Sequence, residues 1–154
     1  MKENIYDAKG KLESVRRRIN ASDQISQENR QLIFDFCDHR RVQGLSSLRI
    51  LFYLNRFWNI ARYTGRRFDR MDRRDVEALV ERVQNRGYSP RIIADHLTVI
   101  KTFWKWLEGK DETYPEKVAW IKPRYSNRKA RLPEELLTKD DIDKLVDAAR
   151  QLSG

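Results

Sequence analysis

The chain has 154 residues, with 32 Lys and Arg against 23 Asp and Glu, a net charge of +9, 40% apolar residues and 36% charged ones. That length suits one domain, or one domain and part of a second, and six Phe, six Tyr and four Trp exclude a disordered tail. No run of about 18 apolar residues is present to span a membrane, the first ten residues carry no apolar stretch of a secretory signal, and the single Cys37 excludes a disulfide framework or a Cys-based zinc cluster, so a reducing cytoplasm is the simplest compartment.

The spacing of apolar residues is helical almost throughout, and β-type alternation is absent over any useful length. A first helix is predicted over residues 4 to 20, where Ile5, Ala8, Leu12, Val15 and Ile19 form a narrow seam of the kind that meets one other helix. A second covers 27 to 42, with Ser26 as N-cap, Glu28 at the positive helix start and Gly44 as the stop. Cys37 shares its stripe with Leu32, Ile33 and Phe36 and is read as a small buried hydrophobe. The third helix spans 47 to 64, with Ser46 as N-cap and Gly65 after its end. Ile50, Leu51, Leu54, Phe57, Trp58 and Ala61 fall on one arc; Arg49, Tyr53, Arg56, Asn59 and Tyr63 fall on the other, together with Leu48, Phe52 and Ile60. Two readings stay open for it: burial over much of its circumference, or deliberate exposure of aromatics.

A fourth helix over 73 to 86 has Asp72 as cap, Asp75 three residues on, Gly87 beyond its end, and a stripe of Val76, Leu79, Val80 and Val83. The fifth begins at the cap Ser89 with Pro90 in its first position, and Gly109 is expected to follow its end. Its apolar side holds Ile92, Ile93, Leu97, Val99, Ile100, Phe103, Trp104 and Leu107, and its polar side Arg91, Asp95, Thr98, Lys101, Thr102 and Lys105. His96 projects into the apolar side and is read as a satisfied core histidine. A short helix is expected at Glu116 to Trp120. Residues 122 to 133, KPRYSNRKARLP, have five basic residues, two prolines and no acid, the composition of a linker. A last helix after Thr138, with the stripe Ile142, Leu145, Val146 and Ala149, is too small to bury that stripe alone and is expected to open a second domain.

Catalysis has little support. His39 and His96 lie on different helices, and no metal-ligand pattern, Gly-rich phosphate loop or nucleophile–base pair is present. No catalytic residue, metal or cofactor is expected. Positive charge is clustered instead: ten arginines and two aspartates lie between His39 and Arg74. Lys and Arg neutralise phosphates and release counterions, while hydroxyls and amides fix register on the backbone. The candidate nucleic-acid contacts are therefore Ser46, Arg49, Tyr53 and Arg56 on the third helix; Ser89, Arg91, Thr98, Lys101, Thr102 and Lys105 on the fifth; and Lys122, Arg124, Arg128, Lys129 and Arg131 in the linker. The competing reading is a helical protein–protein interaction or oligomerisation module, using the Ile5–Ile19 seam with Phe52 and Tyr53.

Three stretches, GLSSLRILFYLNRFWNIARYTGRRF, MDRRDVEALVERVQNRGYSPRIIADHLTVIKTFWKWL and ARLPEELLTKDDIDKLVDAA, taken in this order over about residues 26 to 150, resemble the N-terminal core-binding (SAM-like) domain of tyrosine recombinases, the Xer and phage-integrase family, and most of all its archaeal branch. The resemblance implies an all-α fold: a small orthogonal bundle of four to five helices over 26 to 121, an additional N-terminal helix within 1 to 25, a basic linker over 122 to 137, and the first helix of a truncated catalytic domain over 138 to 154. It implies a clamp on double-stranded DNA in which the third and fifth helices lie across the major groove and the linker follows the backbone. Further protomers are implied as partners, as dimers pairing into tetramers, and neither a membrane nor a small-molecule substrate is. The location implied is the cytoplasm, on the nucleoid. The family's catalytic Arg, Lys, His and Tyr belong to the domain after the last matched helix, so the resemblance assigns no strand-cleaving residue here.

Overall fold

The computed structural model describes residues 2–123, with side chains from Ala8 onward. The last helix and the linker residues Arg124, Arg128, Lys129 and Arg131 lie outside the described residues, as does the side chain of Ile5. Among the described residues all regular structure is helical: α1 Lys2–Ala21, α2 Gln27–Val42, α3 Ser47–Tyr63, a single 3-10 turn Phe68–Arg70, α4 Arg73–Gln84, α5 Pro90–Gly109 and α6 Glu116–Ala119.

Each long helix from α2 to α5 starts where a short polar side chain relieves an orphan backbone N–H. Ser26 accepts from Asn29 N, Ser46 from Arg49 N and Ser89 from Ile92 N, and Asp72 with Asp75 closes a reciprocal capping box on α4. Gly44 and Gly87 take the positive φ values of 98° and 81° that end α2 and α4. The end of α5 differs from expectation. Gly109 belongs to the last turn, and Lys110 and Asp111 adopt the left-handed conformation instead, at φ 54° and 61°. The backbone N–H groups of both residues bond the carbonyl of Lys105. The carboxylate of Asp111 receives a two-point contact from Arg40, Nη1 at 2.9 Å and Nη2 at 2.8 Å. A tertiary contact thus holds a non-glycine chain end in place.

The hub of the fold is α3, which packs against α1, α2, α4 and α5. Ile50, Tyr53, Leu54, Phe57, Ile60, Ala61 and Tyr63 are all buried, so of the two readings of this helix the first holds. The seam of α1 meets α3, with Ala8, Val15 and Ile19 buried. Around α3 the core is aromatic. Phe103 of α5 meets Phe57, Phe68 and Trp104 edge-on at centroid distances of 5.3, 5.1 and 5.0 Å, the geometry that sets a ring's positive edge on a neighbour's negative face. Cys37 is buried within this core, and burial pushes its thiol up to about 12, as befits a packing residue.

Two polar side chains hold the bundle from inside. Asn29 donates from Nδ2 to the Arg66 carbonyl at 2.9 Å and accepts from Phe68 N at 2.7 Å, stitching the start of α2 to the loop after α3. His96 is buried, with Nδ1 donating to the Ile92 carbonyl at 2.8 Å and Nε2 accepting from Asn59 Nδ2 at 3.2 Å. Its ring stacks on Tyr88. Burial, above all, holds its pKa below the ordinary histidine value, so it sits neutral in the core.

Candidate nucleic-acid interface

The polar face of α3 meets the first half of α5 along an open groove lined by Arg49, Phe52, Arg56, Ser89, Arg91, Ile92, Asp95 and Thr98. Residues 49, 52 and 56 share one side of α3 by the helical period, and 91, 95, 98, 102 and 105 one side of α5. Five of the residues expected from the sequence, Arg49, Arg56, Ser89, Arg91 and Thr98, therefore converge on one feature although α3 and α5 are far apart along the chain.

Phe52 is the floor on which the α3 cations rest. The guanidinium carbons of Arg49 and Arg56 lie 4.6 and 4.2 Å from its ring centroid, within cation–π range. Arg56 also reaches across to α5, where Nη2 donates to Asp95 Oδ2 at 3.2 Å. Three guanidiniums thus line the groove against one carboxylate, which leaves it positive.

A second set lies further along α5. The ammonium groups of Lys101 and Lys105 sit 4.4 and 4.9 Å from the centroid of the exposed Tyr114 ring. Lys101 also donates to the Ile121 carbonyl at 2.9 Å. Partial burial, and then the charge of Lys122, draw its pKa below the ordinary lysine value, which brings Lys122 into the same neighbourhood. From Arg91 to Lys105 the face is about 21 Å long at 1.5 Å per residue.

The remaining candidates part from this surface. Tyr53 is only 6% exposed and lies against Phe36 and Phe57, so it is a core residue and not a surface contact. Its position falls on the side of α3 that packs against α2, where Phe36 covers it. Ser46 caps α3, and neither it nor Thr102, which shares the α5 side with Thr98 and Lys105, lines the groove. Ser89 lines the groove while its hydroxyl is engaged in capping α5.

The arginine-rich stretch from His39 to Arg74 does not fold into one patch. Arg40 is buried on Asp111, Arg41 pairs with Asp38, Arg66 with Asp75, Arg67 with Asp69, and Arg73 with both Glu77 and Glu116. Three parts of the surface carry no nucleic-acid assignment from sequence. Phe52 stands in the right helical arc but reads from sequence only as an aromatic for the protein–protein alternative, Asp95 stands in its arc without a role, and Tyr114 lies in a segment with no period to mark it.

Among the described residues no group of three His, Cys, Asp or Glu is placed to hold a metal ion, and no helix is long and apolar enough to cross a membrane. No protein-family profile, curated protein or solved structure matches this chain.

Proposed function

We propose that this chain binds double-stranded DNA as the clamp half of a site-specific tyrosine recombinase or integrase, acting on the nucleoid with further protomers of the same protein. The observation that carries the reading is the α3–α5 groove, where two helix faces predicted independently to be basic come together around Phe52 with three guanidiniums and one carboxylate. Exposed helix faces of this kind suit the wide major groove of B-form DNA, whereas the major groove of an RNA duplex is too deep and narrow for side chains to read. Arg49, Arg91 and Lys105 are the phosphate contacts in this reading, and Lys122 leads the linker along the backbone. The SAM-like bundle is the fold this function implies, and the residues assigned here carry binding, not strand cleavage.

A mobility-shift titration of the full chain on duplex DNA tests it. Affinity is expected to fall steeply with salt, by about 0.9 decades per decade of salt for each phosphate neutralised. Salt-independent affinity, or none, refutes the reading.

One observation favours a protein-binding surface elsewhere. Val42 and Leu48 are 86% and 60% exposed, next in the chain to Arg41 and Ser47 of a depression that Leu12, Leu45, Ile50 and Leu54 line together with Lys9, Glu13 and Arg16. Self-association in the absence of DNA, abolished by Leu48→Lys, is the result that supports this second reading.

A further inference from the structure

The cations of the groove are not equivalent, a difference that bears on how sequence is read and that rests for its meaning on the DNA-binding function proposed above. Among the described residues Arg91 is exposed and has no acidic partner, and Arg49 is stacked on Phe52 without one. Arg56 is fixed at two points, by the Phe52 ring beneath its guanidinium and by Asp95 on the facing helix. Its side chain is only 22% exposed, and its Nε is buried without a hydrogen-bond partner. Only the two terminal amino groups of Arg56 can therefore reach a ligand.

A phosphate contact needs none of this. Phosphate attracts a mobile cation from any direction, and a carboxylate 3.2 Å from the guanidinium weakens that attraction. A base edge has the opposite requirements: a planar fork held in one orientation, with its donors aimed. The nearby carboxylate, a liability beside phosphate, is an asset beside a base pair, because the major-groove edge of a G·C pair presents guanine O6 and N7 as acceptors and cytosine N4 as a donor.

We propose that Arg56 and Asp95 together read one G·C pair in the major groove. Arg56 donates from its terminal nitrogens to guanine O6 and N7, and Asp95 accepts from the cytosine N4 amino group while it keeps Arg56 in place. Arg49 and Arg91 bind the flanking phosphates.

The test is selection of bound sequences from a randomised duplex pool at fixed salt, using the full 154-residue chain and its variants Arg56→Gln, Asp95→Asn and Arg91→Ala. The unaltered chain is expected to select one G·C position, at which replacement by A·T costs roughly 5- to 150-fold in affinity, the usual range for one two-point base contact. Arg56→Gln should lose the guanine preference at that position, and Asp95→Asn should weaken discrimination at the same pair. Arg91→Ala should lower affinity evenly across sequences and make the salt slope shallower by about one.

The proposal is overturned if Arg56→Gln selects the same site as the unaltered chain. It is also overturned if the two groove variants shift only the melting temperature, which would make the pair a mere brace between helices. A chain that binds duplex DNA without any G·C preference refutes the proposal and leaves the DNA-binding function intact, whereas a chain that binds no DNA refutes both. Should Arg56→Gln fail to fold, Asp95→Asn, which keeps the shape of the side chain, carries the same readout.

Discussion

Two arginine-rich regions of this molecule behave differently. Between residues 66 and 74 five arginines occur within nine positions, yet Arg66, Arg67 and Arg73 each lie against an acid, at 3.2, 2.9 and 3.1 Å. In the α3–α5 groove the arginines are far apart in sequence, and Asp95, the one acid lining it, pairs with Arg56 and leaves Arg49 and Arg91 without a carboxylate partner among the described residues. Among the described residues Arg70 and Arg74 are exposed without such a partner, so the usable positive potential follows where acids lie in space as well as where arginines are dense along the chain. Exposed ion pairs add little stability individually, but each one cancels field that would otherwise draw an anion.

The largest effect should come from stripping cations from the groove and from the α5 face beyond it. Replacing Arg49, Arg91 and Lys105 together with Ala is expected to lower duplex affinity on the order of 100-fold or more at moderate salt and to make the salt slope shallower by about three, with an unchanged melting temperature. The matching change in the paired region, Arg67→Ala with Arg73→Ala, should alter affinity only a few-fold. Comparable losses from the two variants would break the contrast.

Next in size is Arg40→Ala, which takes the two-point partner from Asp111 and the left-handed end of α5 and leaves only His39, 3.4 Å from the carboxylate. A fully buried pair loses about 3–5 kcal/mol when broken. Asp111 keeps a quarter of its side-chain surface exposed, so about 2–3 kcal/mol is expected in denaturant unfolding, with DNA affinity intact wherever the fold survives. The same contact predicts acid sensitivity. Arg40, first by hydrogen bonding, holds the Asp111 carboxyl below its usual range. Its contribution is thus fully present above about pH 4 and is lost as pH falls through the lowered value.

Asn29→Ala should cost about 1–3 kcal/mol by leaving the Phe68 N–H and the Arg66 carbonyl unmatched. The smallest effect is that of His96. Because the folded chain holds it neutral and its pKa lies below the ordinary value, its contribution is complete above about pH 6.5 and declines as pH falls through the lowered value. Thermal melts of His96→Gln should lose this component of the pH dependence while keeping the Asp111 component at lower pH. A variant whose pH profile matches the parent between about pH 6.5 and 4 would refute the assignment.

Much of the framework is legible in the residues. Ser26, Ser46, Asp72 and Ser89 mark the helix starts, and Val76, Leu79, Val80 and Val83 mark the buried stripe of α4, because caps and stripes are written within three or four positions. Tyr53 escapes such a reading for a reason of the same kind. Its place on a polar arc is local, whereas the packing of Phe36 against it comes from another helix. Of the candidate surface, the two helices and most of their cations are legible. The platform under them and the acid between them are not.

The sequence by itself determined an all-helical chain over the described residues, the starts of its helices, its buried cysteine and histidine, and two helix faces rich in cations. Only the tertiary structure decided that those faces adjoin, that Phe52 supports two of the cations, and which arginines are neutralised by carboxylates. Caps and periodicity depend on neighbours within one turn of helix. The Arg56–Asp95 and Arg40–Asp111 pairs span 39 and 71 residues, and such distances are closed only by the packing of whole helices around α3.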